Sequence, residues 1–247
     1  MTATLPPDAP LEQLIHDPSP EILTTVAADP RLTEDLALAL LNRRDLPREA
    51  LEQMHKHTSL SKLRKVQLAV VMHPRAPRHV SIPTIRHLYA FELMQVALFP
   101  AVAADVKRAA EEALIGRLPT ITSGERFTLA KQSSGRVAAA LLSDKEQRTM
   151  QAALNNPQMT EAWIIKALKT DHGTEMLAPA VCSHPKWAHR HEVKAALLAN
   201  KNTPPARVQQ LAQELPLSVL KDVLRHVRLA TGVKERLKAV LEKRLGG

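Results

Sequence analysis

Residues 70–77 are Val70-Val71-Met72-His73-Pro74-Arg75-Ala76-Pro77, an apolar run that ends in histidine, proline and, three residues later, a second proline. The same order of residue types recurs at five more places, two of which lack the first proline: 26–33, 40–47, 153–160, 181–188 and 197–204. We call this pattern the helix-end motif. The residue before its proline position is the turn residue, and the turn residues are Asp29, Arg43, His73, Asn156, His184 and Asn200.

The helix-end motif predicts the end of one helix and the start of the next. Proline pushes the preceding residue out of the α region, so the turn residue is expected to end its helix. Where threonine or serine follows, its side chain can accept a hydrogen bond from the first turn of the next helix, as we expect for Thr33. Residues 122–125 and 143–146 have the spacing of a capping box, which predicts a helix start at each.

The spacing of the motif indicates an internal repeat. Its positions fit a unit of about 14–16 residues, or a helix pair of about 28–30 residues. Between the motifs, leucine, valine and alanine recur at helical spacing. We therefore predict an all-α fold, a right-handed α-solenoid of short HEAT-like helix pairs, in which each repeat is buried by its neighbours.

This prediction places residues 1–247 in a single helical-repeat domain. Residues 85–135 match the motif least well, and we interpret them as degenerate repeats or as an insertion. Residues 216–247 form a basic amphipathic end, which we interpret as capping helices with a polar outer face. Binding of this end to a membrane surface or to a partner is the alternative.

The helix-end motif resembles that of the leucine-rich repeat variant, an α-solenoid of alternating short helices, and is similar to the broader HEAT-like repeat class. The resemblance covers residues 20–80 and 150–215. It implies a curved binding scaffold and transfers no catalytic residue. Some members of the variant family are associated with an iron–sulfur cluster in a cysteine-rich segment. This chain has the single cysteine Cys182, so that feature does not carry over.

The composition excludes several classes of protein. A chain with 45% apolar residues is not typical of a disordered protein, and one cysteine cannot form a disulfide within the chain. No stretch is apolar enough for a membrane span, and residues 1–10 lack the basic and apolar regions of a secretory signal. We expect a cytoplasmic protein, and a bacterial cytoplasmic protein and a nuclear one share these features.

Charge is distributed unevenly along the chain, which has 34 basic and 25 acidic residues and a net charge of +9. Residues 1–60 carry five basic and ten acidic side chains, whereas residues 181–247 carry 13 basic and five acidic ones. A basic end of this kind binds nucleic acid, an anionic membrane surface or an acidic protein, or it is a solvated helix surface.

The chain has no P-loop, dinucleotide-binding glycine fingerprint, nucleophile elbow or metalloprotease motif. We predict a non-enzymatic scaffold that binds a protein partner and holds no cofactor or metal. Electrostatic binding of a DNA or RNA backbone through the basic faces is the alternative. The candidate contacts for a partner or a nucleic acid are Arg43, Arg44, Arg75, Arg78, Lys186, Arg190 and Lys194.

The histidines in and after the motif at residues 181–188, together with Asp171 and His172, are candidate zinc ligands. His189 and His191 do not share a helix face, and His184 is a turn residue, so a structural role is favoured over a zinc site.

Three further features receive structural interpretations. Cys182 lies in an apolar stretch and is expected to be a buried apolar residue rather than a nucleophile. Residues 133–136 resemble a phosphate loop only vaguely and are expected to form a turn before a helix. Trp163 and Trp187 each follow a helix-end motif closely, and core packing is favoured over an interface role for both.

Overall fold

The computed structural model describes residues 6, 9–170, 175–226 and 231–245, and every regular element within these ranges is a helix. The predicted all-α class is confirmed. The composition accounts for it, because alanine and leucine are strong helix formers and aromatic residues make up only 2% of the chain. None of the described helices is long and apolar enough to cross a membrane.

The chain forms two compact units, Met1–Thr120 and Ile121–Gly247. The helices of the first unit are α1 (Leu11–Leu14), α2 (Pro20–Ala28), α3 (Glu34–Leu41), α4 (Arg48–Lys56), α5 (Arg64–Met72), α6 (Arg78–Ile85), α7 (Ala90–Leu98) and α8 (Ala104–Arg117). The helices of the second unit are α9 (Ser123–Gln132), α10 (Gly135–Ala140), α11 (Gln147–Leu154), α12 (Glu161–Lys169), α13 (Leu177–Ser183), α14 (His191–Ala199), α15 (Pro205–Glu214), α16 (Leu217–His226) and α17 (Thr231–Leu245). Short 3-10 helices lie at Leu60–Lys62 and Leu141–Ser143.

Two of the predicted helix starts are confirmed and one is wrong. The Thr33 side chain accepts the N–H of Leu36, at the start of α3. Thr122 and Glu125 form the predicted capping box at α9, and these hydrogen bonds lower the pKa of Glu125. The capping box predicted for residues 143–146 is absent, because the Ser143 hydroxyl donates to a carbonyl of the preceding helix and α11 begins later, at Gln147.

Within each unit, many helices pack on the helix two places further along the chain. In the first unit α2 packs on α4, α3 on α5, α5 on α7 and α6 on α8. In the second unit the pairs are α9 with α11, α10 with α12, α11 with α13, α12 with α14, α14 with α16 and α15 with α17. Neighbouring helices also pack on one another, and α7 and α8 do so most extensively. Fully buried alanines such as Ala37 and Ala50 lie among the leucines of the first core, and their small side chains let helices approach closely.

Residues 85–135, which match the motif least well, contain the regular helices α7, α8 and α9. In the first unit, α7 packs most extensively on its neighbour α8, and it also packs on α5. Regular helices therefore continue through a stretch whose loops lack the motif.

Candidate interaction surface

The turn residues hold successive loops together. Asn156 is buried, and its Oδ1 atom accepts the N–H of Gln158 at 2.7 Å. Its Nδ2 atom donates to the carbonyl oxygens of Ala130 at 2.9 Å and Ser133 at 3.0 Å, more than 20 residues earlier. We call such a set of hydrogen bonds, from one turn residue to its own loop and to an earlier loop, a joint. An amide side chain suits a joint because it carries an acceptor and a donor at the same end.

Histidine serves the same purpose at another motif. In the first unit, His73 Nδ1 accepts the N–H of Arg75 at 3.1 Å, and His73 Nε2 lies 2.8 Å from the carbonyl oxygen of Arg43. Since a backbone N–H can only donate, Nδ1 is the acceptor and the ring proton is assigned to Nε2. The joint therefore requires the neutral ring.

The motif at residues 181–188 follows the same pattern. His184 Nδ1 accepts the N–H of Lys186 at 3.2 Å, and its Nε2 lies 3.3 Å from the Asn155 side-chain oxygen. The structural role predicted for His184 agrees with this geometry. Among the described residues, no group of His, Cys, Asp and Glu is placed to hold a metal ion, and Asp171 and His172 lie outside those residues.

Where the turn residue is aspartate, an arginine provides the link to the earlier loop. Asp29 Oδ1 accepts the N–H of Arg31 at 2.9 Å, but a carboxylate has no proton to donate. The Arg31 guanidinium binds Asp29 at 2.7 Å and also donates to the carbonyl oxygen of Pro6 at 3.3 Å. The Arg31 hydrogen bonds also lower the pKa of Asp29.

One joint has no complete motif in the sequence. His57 is buried at the end of α4, where its Nδ1 accepts the N–H of Leu60 at 3.3 Å. Its Nε2 lies 3.0 Å from the carbonyl oxygen of Asp29, 28 residues earlier. No proline follows His57, so the pattern missed it, and a search for histidine about 28 residues after an earlier turn residue would have found it.

We expect the histidine joints to make folding sensitive to acid. Burial lowers the pKa of His73 and of His184, and the nearby Arg75 and Lys186 charges respectively lower them further. The unfolded chain therefore binds more protons below about pH 6.5, and stability present above that pH is lost as the pH falls through the folded pKa values. Denaturant unfolding between about pH 8 and pH 5 measures this loss.

The control for the acid effect is the double variant His73→Asn/His184→Asn. Asparagine can form the same joint, as Asn156 does, and it does not titrate. A variant whose stability falls with pH as steeply as that of the native chain would contradict the assignment.

Two of the candidate contact residues are used inside the fold. Arg43 is a turn residue whose Nη1 atom donates to the carbonyl oxygens of Ile15 at 2.8 Å and Asp17 at 2.9 Å. Lys194 is buried, and its Nζ atom lies 2.6 Å from a carboxylate oxygen of Glu214. Neither charge faces solvent freely, because each compensates polar groups of its own unit.

Three others are exposed but make contacts within the fold. Arg75 Nη1 donates to the carbonyl oxygen of Asp45 at 2.8 Å, and Arg78 pairs with Asp105 at 2.8 Å. The Lys186 ammonium lies 4.2 Å from the ring centre of Trp187.

The Arg44 and Arg190 side chains are exposed and form no hydrogen bond or ion pair with any residue that the structure describes. Arg44 belongs to the first unit and Arg190 to the second.

Three other sequence predictions concern the two tryptophans, Cys182 and residues 133–136. Trp187 is buried, and its ring nitrogen donates to the carbonyl oxygen of Leu154 at 2.9 Å, which supports core packing. Trp163 is half-buried. Burial raises the pKa of the Cys182 thiol, which keeps it protonated near neutral pH. Residues 133–136 form the turn into α10 and are not arranged around an open site, because Ser133, Ser134 and Gly135 are all buried.

The aromatic side chains on and beside α7 behave differently. Of the six aromatic residues in the chain, three occur within residues 89–99, and all three are exposed: Tyr89 (57%), Phe91 (36%) and Phe99 (38%). We call these three the aromatic surface. The half-buried Met94 and Leu98 occupy the helical positions between Phe91 and Phe99, so an apolar stripe runs the length of α7.

Charged groups border the start of this stripe. The Arg64 guanidinium lies 3.5 Å from the centre of the Tyr89 ring and pairs with Glu92 at 2.7 Å. Glu92 also accepts the N–H of Tyr89 at 2.7 Å, which fixes the helix start. Arg86 and His87 are exposed in the preceding loop. A rigid aromatic group next to arginine is the combination found at the energetic centre of protein interfaces.

One face of α7 is buried through Ala90, Leu93, Val96 and Ala97, and the exposure of the other face is unexpected for its sequence. The helix is Ala-Phe-Glu-Leu-Met-Gln-Val-Ala-Leu, and only its glutamate and glutamine are polar. A helix that is apolar on all sides is normally buried on all sides.

Comparison of the chain with known protein families, with curated proteins and with solved structures gives no match.

Proposed function

We propose that this chain is a non-catalytic helical-repeat scaffold that binds a protein partner through the aromatic surface of α7. In this proposal the helix pairs form a right-handed α-solenoid of HEAT-like or leucine-rich-variant type. The joints support it, because they link loops by contacts that recur at separations such as 28 and 30 residues. A repeat whose neighbour provides its contacts is the basis of such folds.

The single observation that carries the proposed partner binding is the exposure of Tyr89, Phe91 and Phe99. Aromatic residues are rare in this chain. The contact of each exposed ring with water is unfavourable, and burial of the ring in an interface would remove this free-energy cost. Tyrosine and phenylalanine provide large contact areas at low conformational entropy cost. The surface is therefore suited to an apolar segment of a protein.

Nucleic-acid binding is the second candidate, favoured by the exposed and unpaired Arg44 and Arg190. The contacts of Arg43, Arg75 and Lys194 within the fold count against it, because they reduce the charge available to phosphates. The dependence of binding on salt concentration distinguishes the two candidate functions. Binding to nucleic acid weakens steeply as salt rises, whereas burial of aromatic rings is much less sensitive to salt.

We expect the triple variant Tyr89→Ser/Phe91→Ser/Phe99→Ser to lose its protein partner while remaining folded. Tyr89 is mostly exposed, but Phe91 and Phe99 are only 36% and 38% exposed, so we expect each phenylalanine substitution to cost the fold about 1–2 kcal/mol. Circular dichroism checks that the variant is folded. A photo-crosslinking amino acid at position 91 or 99, used in extract from the source cells and followed by mass spectrometry, identifies the partner. Purified partner is then titrated against the native chain and the triple variant.

The control variant is Ile82→Ser, which removes an equally exposed apolar side chain from α6 rather than α7. Binding should persist in this control and should persist after nuclease treatment. Equal affinity of the native chain and of the triple variant for the purified partner, or a loss of binding on nuclease treatment, would count against a protein partner at α7.

A further inference from the structure

A cleft lies between α15 and α17 in the second unit, away from the aromatic surface of the first unit in sequence. Its volume is about 820 Å³, which is within the range of ligand-binding pockets. Its described lining comprises Pro205, Ala206, Gln209, Gln213, Arg236, Ala239, Val240, Lys243 and Arg244. The lining therefore combines an apolar floor with amide and cationic groups.

No acidic residue belongs to this lining. On α17 the residues at the cleft are Arg236, Ala239, Val240, Lys243 and Arg244, which recur at the spacing of one helix face. Glu235 and Glu242 directly precede Arg236 and Lys243 in sequence, but they are exposed and do not line the cleft. On α15, Glu214 is held by Lys194 at 2.6 Å and does not line the cleft. The carboxylates are thus separated from the cations of the cleft.

Arg244 fixes one end of the cleft. Its Nη1 atom donates to the carbonyl oxygens of Ala212 at 2.9 Å and Leu215 at 2.7 Å, near the end of α15. These hydrogen bonds join α17 to α15, so the Arg244 guanidinium has a structural role within the fold. Arg236 and Lys243 make no such contact with a described residue, and both are exposed.

The shape of the floor indicates what the cleft accommodates. Ala206 and Ala239 contribute only methyl groups, one from each helix, so a third backbone can approach closely between the two helices. Arg236 and Lys243 are seven residues apart on α17, which is about 10 Å along the helix axis. A second helix with two carboxylates at the same spacing would match both cations, with its small apolar residues on the floor.

We propose that the cleft between α15 and α17 binds an acidic amphipathic helix of a partner protein, with Arg236 and Lys243 pairing with two carboxylates about two helical turns apart. Charge complementarity selects this occupant, because the cleft offers cations without a competing carboxylate. The site is independent of the aromatic surface, so failure of either proposal leaves the other standing.

The test uses the full chain and a pair of labelled synthetic peptides of about four helical turns. Both peptides have alanine and leucine on one face. One carries two glutamates at the spacing of Arg236 and Lys243, and the other carries glutamine at both positions. Fluorescence anisotropy measures their affinity at low ionic strength, about 0.05 M, where pairing is least screened. A labelled DNA duplex of similar length is titrated in parallel.

We expect the glutamate peptide to bind about tenfold more tightly than the glutamine peptide. The charge-reversal variant Arg236→Glu/Lys243→Glu should abolish that preference. The matched control Lys234→Glu/Lys238→Glu makes the same change of charge on exposed positions of α17 outside the cleft, and it should keep the preference within about twofold. Circular dichroism checks that both variants are folded.

Four outcomes would overturn the proposal. They are equal binding of the two peptides, equal losses in the charge-reversal variant and in its control, no binding at about 0.1 mM chain, and tighter binding of the DNA duplex that the charge-reversal variant removes. The last result would assign the cleft to nucleic acid instead.

Discussion

Replacing Gly135 with alanine is expected to lower the unfolding free energy of the second unit by about 3 kcal/mol. A Cβ atom at this position would overlap the backbone oxygen of Gln158 and lie 3.1 Å from its carbonyl carbon. Backbone cannot rotate aside as the end of a flexible side chain can. Gln158 is also held by Asn156, whose Oδ1 accepts its N–H, so relief requires α10 and the 156–158 loop to move apart.

Denaturant unfolding monitored by circular dichroism measures this loss. Gly116→Ala provides the matched control, because Gly116 lies within α8 and a Cβ atom there meets no other atom within 4 Å. Alanine is the better helix former, so the control should gain up to about 1 kcal/mol. If Gly135→Ala also proved neutral or stabilising, the close approach of α10 to the 156–158 loop would be disproved.

Replacing Asn156 with aspartate is expected to have an effect of similar size, also about 3 kcal/mol. The change keeps the shape of the side chain but removes the Nδ2 donor, leaving the carbonyl oxygens of Ala130 and Ser133 facing a buried carboxylate. Unfolding at neutral pH measures the loss. It should be smaller in acid, because a protonated carboxyl group recovers one donor.

The control for Asn156→Asp is the same change one residue earlier. Asn155 is exposed, and its Nδ2 donates only to the carbonyl oxygen of Gln151 in the preceding helix. Its Oδ1, which lies 3.3 Å from His184 Nε2, is retained as a carboxylate oxygen in aspartate. Asn155→Asp should therefore alter stability by no more than about 0.5 kcal/mol. Comparable losses in the two variants would show that the buried donor is not what matters at position 156.

The helical class and the helix ends at the helix-end motifs could be predicted because they depend on neighbouring residues. A proline after His73 or Asn156 ends a helix through local sterics, and Thr122 with Glu125 satisfies N–H groups three residues apart. The prediction failed at Ser143, where a 3-10 helix extends α10 and the hydroxyl is used by that turn. Two local structures compete at Ser143, a 3-10 turn and a capping box, and the sequence pattern indicates only the capping box.

The functional surfaces could not be predicted in the same way. Lys194 was a candidate contact because it is charged, but Glu214, 20 residues later, is brought beside it only by the packing of helices. The apolar sequence of α7 indicates a helix that is buried on all sides, whereas Phe91 and Phe99 are exposed. Their exposure depends on which other helices pack against α7, and the residues of α7 alone do not determine this.

The joints have a consequence for how such a chain grows and shrinks during evolution. Asn200, for example, reaches back 32 residues to Leu168, and His73 reaches back 30 residues to Arg43. Because each of these joints uses only a loop and an earlier loop, duplication or deletion of one whole helix pair leaves every remaining loop opposite a compatible carbonyl group. Removal of a single helix would instead pair the wrong loops, so changes in length by whole helix pairs are the ones the architecture tolerates.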